Sequence, residues 1–195
     1  MNLNGDEQFN LDDAGPLFQF RSVKVWVAAL FRPSVSTFER LLKDPLAGSR
    51  RALLWFIGFS LFNGCIIILE SFILRAVMSW DLIIISFFIS LFSTTLLIFS
   101  IVIIEVISEF LGGQGDFSKL FYGFSTFGAP LTTVSMSLDI LPFANILWLV
   151  PIGYGFILAL MVCKAVHQFT WGKALISVTP IALSFIVLLG FAAIL

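Results

Sequence analysis

Five stretches of the sequence contain almost only apolar residues and are separated by short polar bends, and this pattern constrains the fold more than any other feature. Each stretch is close to the ~20 residues that a helix needs to cross a hydrocarbon core of ~30 Å. The five predicted spans are residues 52–74, 82–107, 121–138, 146–166 and 174–195. Backbone groups inside a bilayer must bond within their own segment, so we expect each stretch to be helical. The predicted fold is therefore all-α, with a five-span membrane domain over residues 47–195.

The composition agrees with an integral membrane protein. Of the 195 residues, 59% are hydrophobic and 12% are charged, and the mean hydropathy is +1.04. Soluble domains carry about 25% charged residues, so this chain has too little polar surface to cover a globule of its size. The net charge is −1, which provides no large basic field, so we expect the lipid bilayer and not nucleic acid as a partner.

The region before the first span is divided in two. Residues 1–20 are polar and acidic and are predicted to form a mobile tail. Residues 21–46 are predicted to form two short amphipathic helices on the cytoplasmic side, with Pro33 ending the first and a capping box at Ser36–Glu39 starting the second. Five residues of this region and its junction with the first span are expected at the membrane–water interface: Trp26, Phe31, Phe38, Arg50 and Arg51. The alternative, which is compatible with the first, is that the helices pack beneath the membrane bundle.

The distribution of Lys and Arg predicts the orientation. With five spans, one side of the membrane carries Arg21, Lys24, Arg32, Arg40, Lys43, Arg50, Arg51, Lys119, Lys164 and Lys173. The other side carries Arg75 alone. Cytoplasmic loops are enriched in such cations, so we expect the N-terminus in the cytoplasm and the C-terminus outside.

The bend after the second span is rich in glycine. Gly112, Gly113 and Gly115 are predicted to form a tight turn that needs a positive φ, followed by a helix with Asp116 as its N-cap. The run is not a phosphate-binding loop, because the Lys-Ser/Thr ending is missing. Further along, Pro130 interrupts the third span.

Four short motifs occur in order along the chain. They are Phe-Arg-Pro-Ser at 31–34, Leu-Gly-Gly-x-Gly-x-Phe at 111–117, Gly-Phe-Ser-x-x-x-x-Pro at 123–130 and His-x-x-x-x-Gly-Lys-Ala at 167–174. In their order and in their spacing across the apolar hairpins, they resemble the Yip (Ypt-interacting protein) domain family of five-span membrane proteins. The resemblance covers about residues 24–190, and it marks Gly112, Gly113, Gly115 and Pro130 as positions of family motifs.

The resemblance implies a fold and a topology, and it is closest to the short bacterial and archaeal members of the family. Eukaryotic members bind Rab-type GTPases during vesicle traffic and carry an Asp-Leu-Tyr-Gly-Pro motif and a longer N-terminal segment, neither of which is found here. A bacterial plasma membrane is therefore the favoured location, and a eukaryotic endomembrane (Golgi or endoplasmic reticulum) is the alternative.

A candidate polar cluster lies at the cytoplasmic ends of two spans. Glu105 and Glu109 are one helical turn apart at the end of the second span, and Lys164 and His167 close the fourth. An acid partly buried in a bilayer needs a partner, so these four side chains are expected to meet in one layer. One interpretation is an ion or proton site or a small polar pocket. The other is a structural cluster that fixes helix register.

The sequence contains no catalytic constellation that we can defend. There is a single His, and Cys65 and Cys163 both lie inside spans, so we predict no catalytic residues, no metal site and no cofactor. The serines of the second span favour helix packing over a hydrophilic conduit. The predicted function is that of a non-enzymatic, multi-pass membrane protein of Yip type that acts through partner binding, self-association or membrane organisation and trafficking. The alternative is a small transporter or channel whose polar gate is the cluster at the ends of spans two and four.

Overall fold

The computed structural model describes residues 20–75, 79–138, 147 and 149–180, and all regular structure in these ranges is helical. The predicted tail, the turn at 139–142 and the end of the predicted fifth span lie outside the described residues. Six helices have both ends described: α1 Phe20–Phe31, α2 Val35–Leu42, α3 Ser49–Arg75, α4 Trp80–Phe110, α5 Phe117–Ser137 and α6 Leu149–His167. A further helix, α7, begins at residue 171 and continues to the last described residue, 180.

Three of these helices are long and apolar enough to cross a membrane: Ser49–Ile73 within α3, Trp80–Phe110, which is α4, and Leu149–His167, which is α6. They coincide with the first, second and fourth predicted spans. Helix α5 coincides with the third, but its serine, threonine and glycine content keeps it below the hydropathy of the other three.

The start of α2 differs from the predicted capping box at Ser36–Glu39. Ser34 is the N-cap, with an extended backbone, and its Oγ accepts a hydrogen bond from the N–H of Thr37 at 3.0 Å. The Thr37 hydroxyl in turn donates to the carbonyl of Arg32 at 3.0 Å. The capping-box prediction was therefore wrong by two residues, because the serine directly after Pro33 already supplies the cap.

Helix α5 is the centre of the bundle. It packs against α1, α2, α3, α4 and α6, and every residue from Leu120 to Ala129 is buried. Aromatic rings fill its junction with α3: Phe121 stacks on Phe56 at 5.3 Å between centroids, and Tyr122 lies 5.4 Å from Trp55. Close approach to α6 depends on Gly123, where a Cβ would lie 2.7 Å from Val162 Cγ1.

Small residues bring α3 and α4 together. A Cβ at Gly64 would lie 2.5 Å from the Phe87 ring, so glycine is needed for that ring to rest on α3. One turn earlier, Ser90 Oγ donates to the carbonyl of Ser60 across the junction. For Ser90, this contact agrees with the packing interpretation of the serines in the second span, whereas Ser86 and Ser100 donate to carbonyls of their own helix.

Candidate functional site

The end of α4 is closed by a Schellman motif built on two glycines. Gly112 has a φ of 75° and its N–H donates to the carbonyl of Glu109 at 2.9 Å, while the Gly113 N–H donates to that of Ser108 at 2.9 Å. Such a motif needs a residue in the left-handed region, which glycine adopts without a steric penalty. The predicted tight turn with a positive φ is confirmed at Gly112. The chain then leads to Asp116, which caps α5 as predicted by accepting from the N–H of Ser118 at 3.3 Å.

This bend places Glu105 of α4 against His167 at the end of α6. Glu105 Oε2 and His167 Nε2 are 3.2 Å apart, and the two residues are 6% and 2% exposed. The distance is within hydrogen-bond range, but the direction of the imidazole N–H departs from the line between the two atoms. The pair is therefore a close polar contact without a linear hydrogen bond.

The other imidazole nitrogen determines the tautomer of His167. The backbone N–H of Gly115 donates to His167 Nδ1 at 3.2 Å. A nitrogen that accepts a hydrogen bond carries no proton, so the ring is neutral in this geometry and its proton sits on Nε2, next to Glu105. The ring also stacks on Phe169 at 5.2 Å between centroids. His167 is thus fixed on three sides.

Two glycines of the bend lie directly on the imidazole. A Cβ at Gly113 would lie 2.6 Å from His167 Nδ1, and one at Gly115 would lie 2.5 Å from the same atom. Neither has a positive φ, so the bend needs glycine here for close approach and not for backbone conformation. The glycine bend therefore covers the pair.

The other members of the predicted cluster point elsewhere. Glu109 is exposed. Lys164 Nζ donates to the carbonyl of Phe169 at 2.8 Å and lies 5.2 Å from the Trp171 ring centroid. The structure thus brings Glu105 and His167 together and directs Lys164 to the α6–α7 bend, while a functional role for the four residues stays a prediction. Pro130 lies within α5, partly buried, just beyond the fully buried segment.

Sequence reasoning missed three parts of this site. Ser108 is buried one turn from Glu105, and its hydroxyl has no hydrogen-bond partner within the described ranges. Cys163, one turn before His167, is also fully buried. The Gly115 N–H is the third, since it supplies the bond that fixes the histidine tautomer. The joint presence of a glycine-rich bend and a single histidine near two span ends was the available signal.

The chemistry open to the pair is the sharing of one proton between Glu105 and His167. Within the described residues, no group of three or more His, Cys, Asp or Glu side chains is arranged to hold a metal ion. A separate cavity of about 40 Å³ lies between α3, α4 and α5, and its lining includes Ser60, Asn63, Ser93 and Thr132 but neither Glu105 nor His167. That volume is enough for about one water molecule.

The residues predicted at the membrane interface have different surroundings. Phe31 is 78% exposed and Arg50 is exposed, whereas Phe38 is fully buried at 6.3 Å from the Phe127 ring. Trp26 packs edge-on against Trp55 at 5.3 Å. Arg51 lies 3.5 Å from Asp44 and 4.9 Å over the Trp55 ring. Phe38 therefore contacts protein, and contact of the other four residues with a bilayer surface remains a prediction.

Comparison with known families agrees with this architecture. The family model of the Yip1 domain matches residues 27–192, which is most of the chain. The chain belongs to the Yip1 domain family. Neither a curated protein nor a solved structure matched it. The match begins within α1 and includes the glycine bend, Glu105 and His167, so the buried pair lies inside the Yip1 domain.

Proposed function

We propose that this Yip1-domain protein is a non-enzymatic membrane protein that acts through contacts of its membrane-facing surface with lipids, partner proteins or a second copy of itself. The observation that carries the proposal is the exposure of α4. It is the most apolar of the candidate spans, yet only 17% of its most apolar window is buried inside the protein. A helix with this much apolar surface suits contact with lipid or with another membrane helix.

The same proposal includes five spans, with the N-terminus in the cytoplasm. One support is that successive helices from α3 to α6 run in alternate directions through the bundle, and that α7 starts where α6 ends. The other is that Lys and Arg concentrate on one side in a five-span arrangement. A bacterial plasma membrane is favoured over an endomembrane because the Asp-Leu-Tyr-Gly-Pro motif is missing.

Transport through a gate at the Glu105 layer is the weaker candidate. Glu105 and His167 are both buried, two glycines cover the histidine, and neither residue lines the cavity between α3, α4 and α5. A gate must open to water on at least one side. The geometry supports a structural role in which the pair fixes the ends of α4 and α6 against each other.

The test is photo-crosslinking in the native membrane. A photoreactive phenylalanine analogue replaces Phe88 or Phe99, which are exposed on α4, and replaces Phe121 on α5 as the buried control. We expect lipid or protein adducts from the two α4 positions, and adducts within the chain from the α5 position. Turnover of a substrate by the purified protein, or movement of one across liposomes, would refute the proposal.

A further inference from the structure

Helix α1 carries apolar residues on both of its sides. Its inner side packs on the bundle, where Val25 and Ala29 are buried. Its outer side holds a second apolar row that consists of Val23, Val27 and Phe31, and all three side chains are exposed. A helix on the surface of a bundle needs only one apolar side to pack. The outer row is therefore apolar surface that the bundle does not use.

Two cations lie along the same outer side. Lys24 and Arg32 are exposed, and the N–H of Arg32 still donates to the carbonyl of Ala28 at 3.2 Å, so the helical path includes both cations. Positions 24, 28 and 32 follow one another at intervals of four residues and form a row beside the apolar row. The two cations are about 12 Å apart along the helix. The two rows line an open groove, which we call the α1 groove: Val23, Lys24, Val27, Ala28, Phe31 and Arg32.

Neither cation has a counter-charge among the residues that the structure describes. Both lie apart from the ion pair of Arg51 with Asp44. An occupant of the α1 groove therefore has to supply apolar side chains to the apolar row. It also has to supply negative charge at two places about 12 Å apart, because complementary charge fixes the register of a contact.

The N-terminal part of the same chain has this chemistry. Residues 6–13, which we call the acidic segment, have an acidic pair at each end and Phe9 and Leu11 between the pairs. Residues 1–20 contain no Lys or Arg that could neutralise these acids locally. The two pairs are Asp6 with Glu7 and Asp12 with Asp13.

The spacing of the acidic pairs fits the spacing of the cations. The centres of the two pairs are about six residues apart, which is ~9 Å in a helix and ~20 Å in an extended chain. The separation of about 12 Å between Lys24 and Arg32 lies between these two limits. One acidic pair can therefore meet each cation at the same time.

The acidic segment is also joined to the correct end of α1. Residues 14–19 link it to Phe20, where α1 begins, and they include Gly15-Pro16, a dipeptide typical of turns. A turn at this dipeptide directs the acidic segment antiparallel to α1, so that its second acidic pair meets Lys24 and its first meets Arg32. Lys24 is only about 6 Å from the start of α1, whereas the linking residues span up to ~20 Å.

We propose that the acidic segment folds back along the α1 groove and that its two acidic pairs neutralise Lys24 and Arg32. Its Phe9 and Leu11 side chains cover the apolar row of the groove. Because the segment is tethered beside its site, its effective concentration there is high, and weak exposed ion pairs are sufficient to hold it. This contact goes beyond the function proposed above, since it closes the outer side of α1 and leaves α4 exposed.

Photo-crosslinking in the full chain tests the contact. A photoreactive phenylalanine analogue replaces Phe9, and its adducts are located by peptide mass spectrometry. We expect the main adduct on the α1 peptide that contains Val27. The same analogue at Phe110, which is 86% exposed at the end of α4, is the control for reactivity. Mixing isotopically labelled with unlabelled chains distinguishes an adduct within one chain from an adduct between two.

Only an adduct on α1 of the same chain supports the proposal. An adduct with lipid, with another part of the chain or with a second copy would overturn it. The absence of any adduct from the Phe9 position, while the Phe110 position reacts, would also overturn it. None of these outcomes depends on what α4 contacts, so the function proposed above stands or fails separately.

Charge reversal tests the ion pairs. We expect Lys24→Glu/Arg32→Glu to lower the yield of the α1 adduct about fivefold, the effect of losing two exposed ion pairs. Arg40→Glu/Lys43→Glu reverses two exposed cations of α2 outside the groove, and as the matched control it should keep the yield. Equal yields from these two variants would overturn the pairing. The yield should return when the reversed groove is combined with Lys at all four acidic positions, and a yield that stays low would also overturn the pairing.

Discussion

Helices α4 and α5 are neighbours in the bundle, but they meet the membrane environment in opposite ways. Helix α4 is strongly apolar and mostly exposed, whereas α5 is less apolar and is buried from Leu120 to Ala129. The two helices differ in burial because α5 is surrounded by five other helices, whereas most of α4 lies at the surface of the bundle. In these two helices, hydropathy therefore follows exposure at the protein surface and not a central place in the bundle.

A matched pair of phenylalanines gives the largest expected difference between the two helices. Phe121 of α5 is 4% exposed and Phe88 of α4 is 68% exposed. We expect Phe121→Ala to lower the free energy of unfolding by about 2–4 kcal/mol, because it leaves a cavity in the core. Phe88→Ala should change it by less than about 0.5 kcal/mol, as is usual for an exposed site. Reversible unfolding in lipid–detergent micelles measures both. Similar losses for the two variants would contradict the different surroundings of α4 and α5.

Glycine substitutions test how closely the bend at the end of α4 approaches α6. Gly115→Ala places a Cβ 2.5 Å from His167 Nδ1, and also 2.6 Å from Val166 Cγ1. We expect a loss of about 1–3 kcal/mol from overpacking. Gly153→Ala is the control, since it lies in α6 with no atom within 4 Å of the new Cβ, and it should be neutral or stabilising. Thermal unfolding of the two variants makes the comparison, and an unaffected Gly115→Ala protein would show that the bend is not packed on the ring.

Substitution of the buried acid separates a structural pair from a working site. Glu105→Gln keeps the shape of the side chain and removes its charge, so we expect stability to change by less than about 1 kcal/mol or to rise, because a buried charge no longer has to be desolvated. Glu105→Ala should cost about 1–3 kcal/mol, since it leaves the His167 N–H without its polar neighbour. Glu109→Gln, exposed on the same helix, is the control. A destabilising Glu105→Gln of the same size as Glu105→Ala would mean that the carboxylate charge itself holds the two helices together.

Much of the fold could be predicted because apolar runs of span length have few alternatives. The positions of α3 and α4, the cap at Asp116 and the positive φ at Gly112 all follow from local residue chemistry. The packing of α1 and α2 on the bundle does not, because the buried Phe38 and the exposed Phe31 lie on helices whose apolar sides fit a bilayer surface or a helix bundle equally well. In the candidate site, by contrast, the proximity of Glu105 to His167 could be predicted from their positions at span ends. The turn of Lys164 towards Phe169 depends on the path of the α6–α7 bend, which the sequence does not determine.

The smallest effect is expected at the α3–α4 junction, where Ser90 of α4 lies within hydrogen-bond distance of both the carbonyl and the hydroxyl of Ser60 on α3. Ser90 is buried and donates to the Ser60 carbonyl, so Ser90→Ala should cost about 0.5–1 kcal/mol, the typical value of an interhelical hydrogen bond in a membrane protein. Ser100→Ala removes a hydroxyl that donates to the Leu96 carbonyl of its own helix at 2.9 Å and should have almost no effect. The same unfolding assay resolves the pair if both are measured against the unsubstituted chain. Equal effects of the two substitutions would mean that the Ser90 hydroxyl contributes nothing to holding α4 on α3. Helix α4 would then resemble α5, whose hydroxyls at Ser125 and Thr126 donate to carbonyls of their own helix.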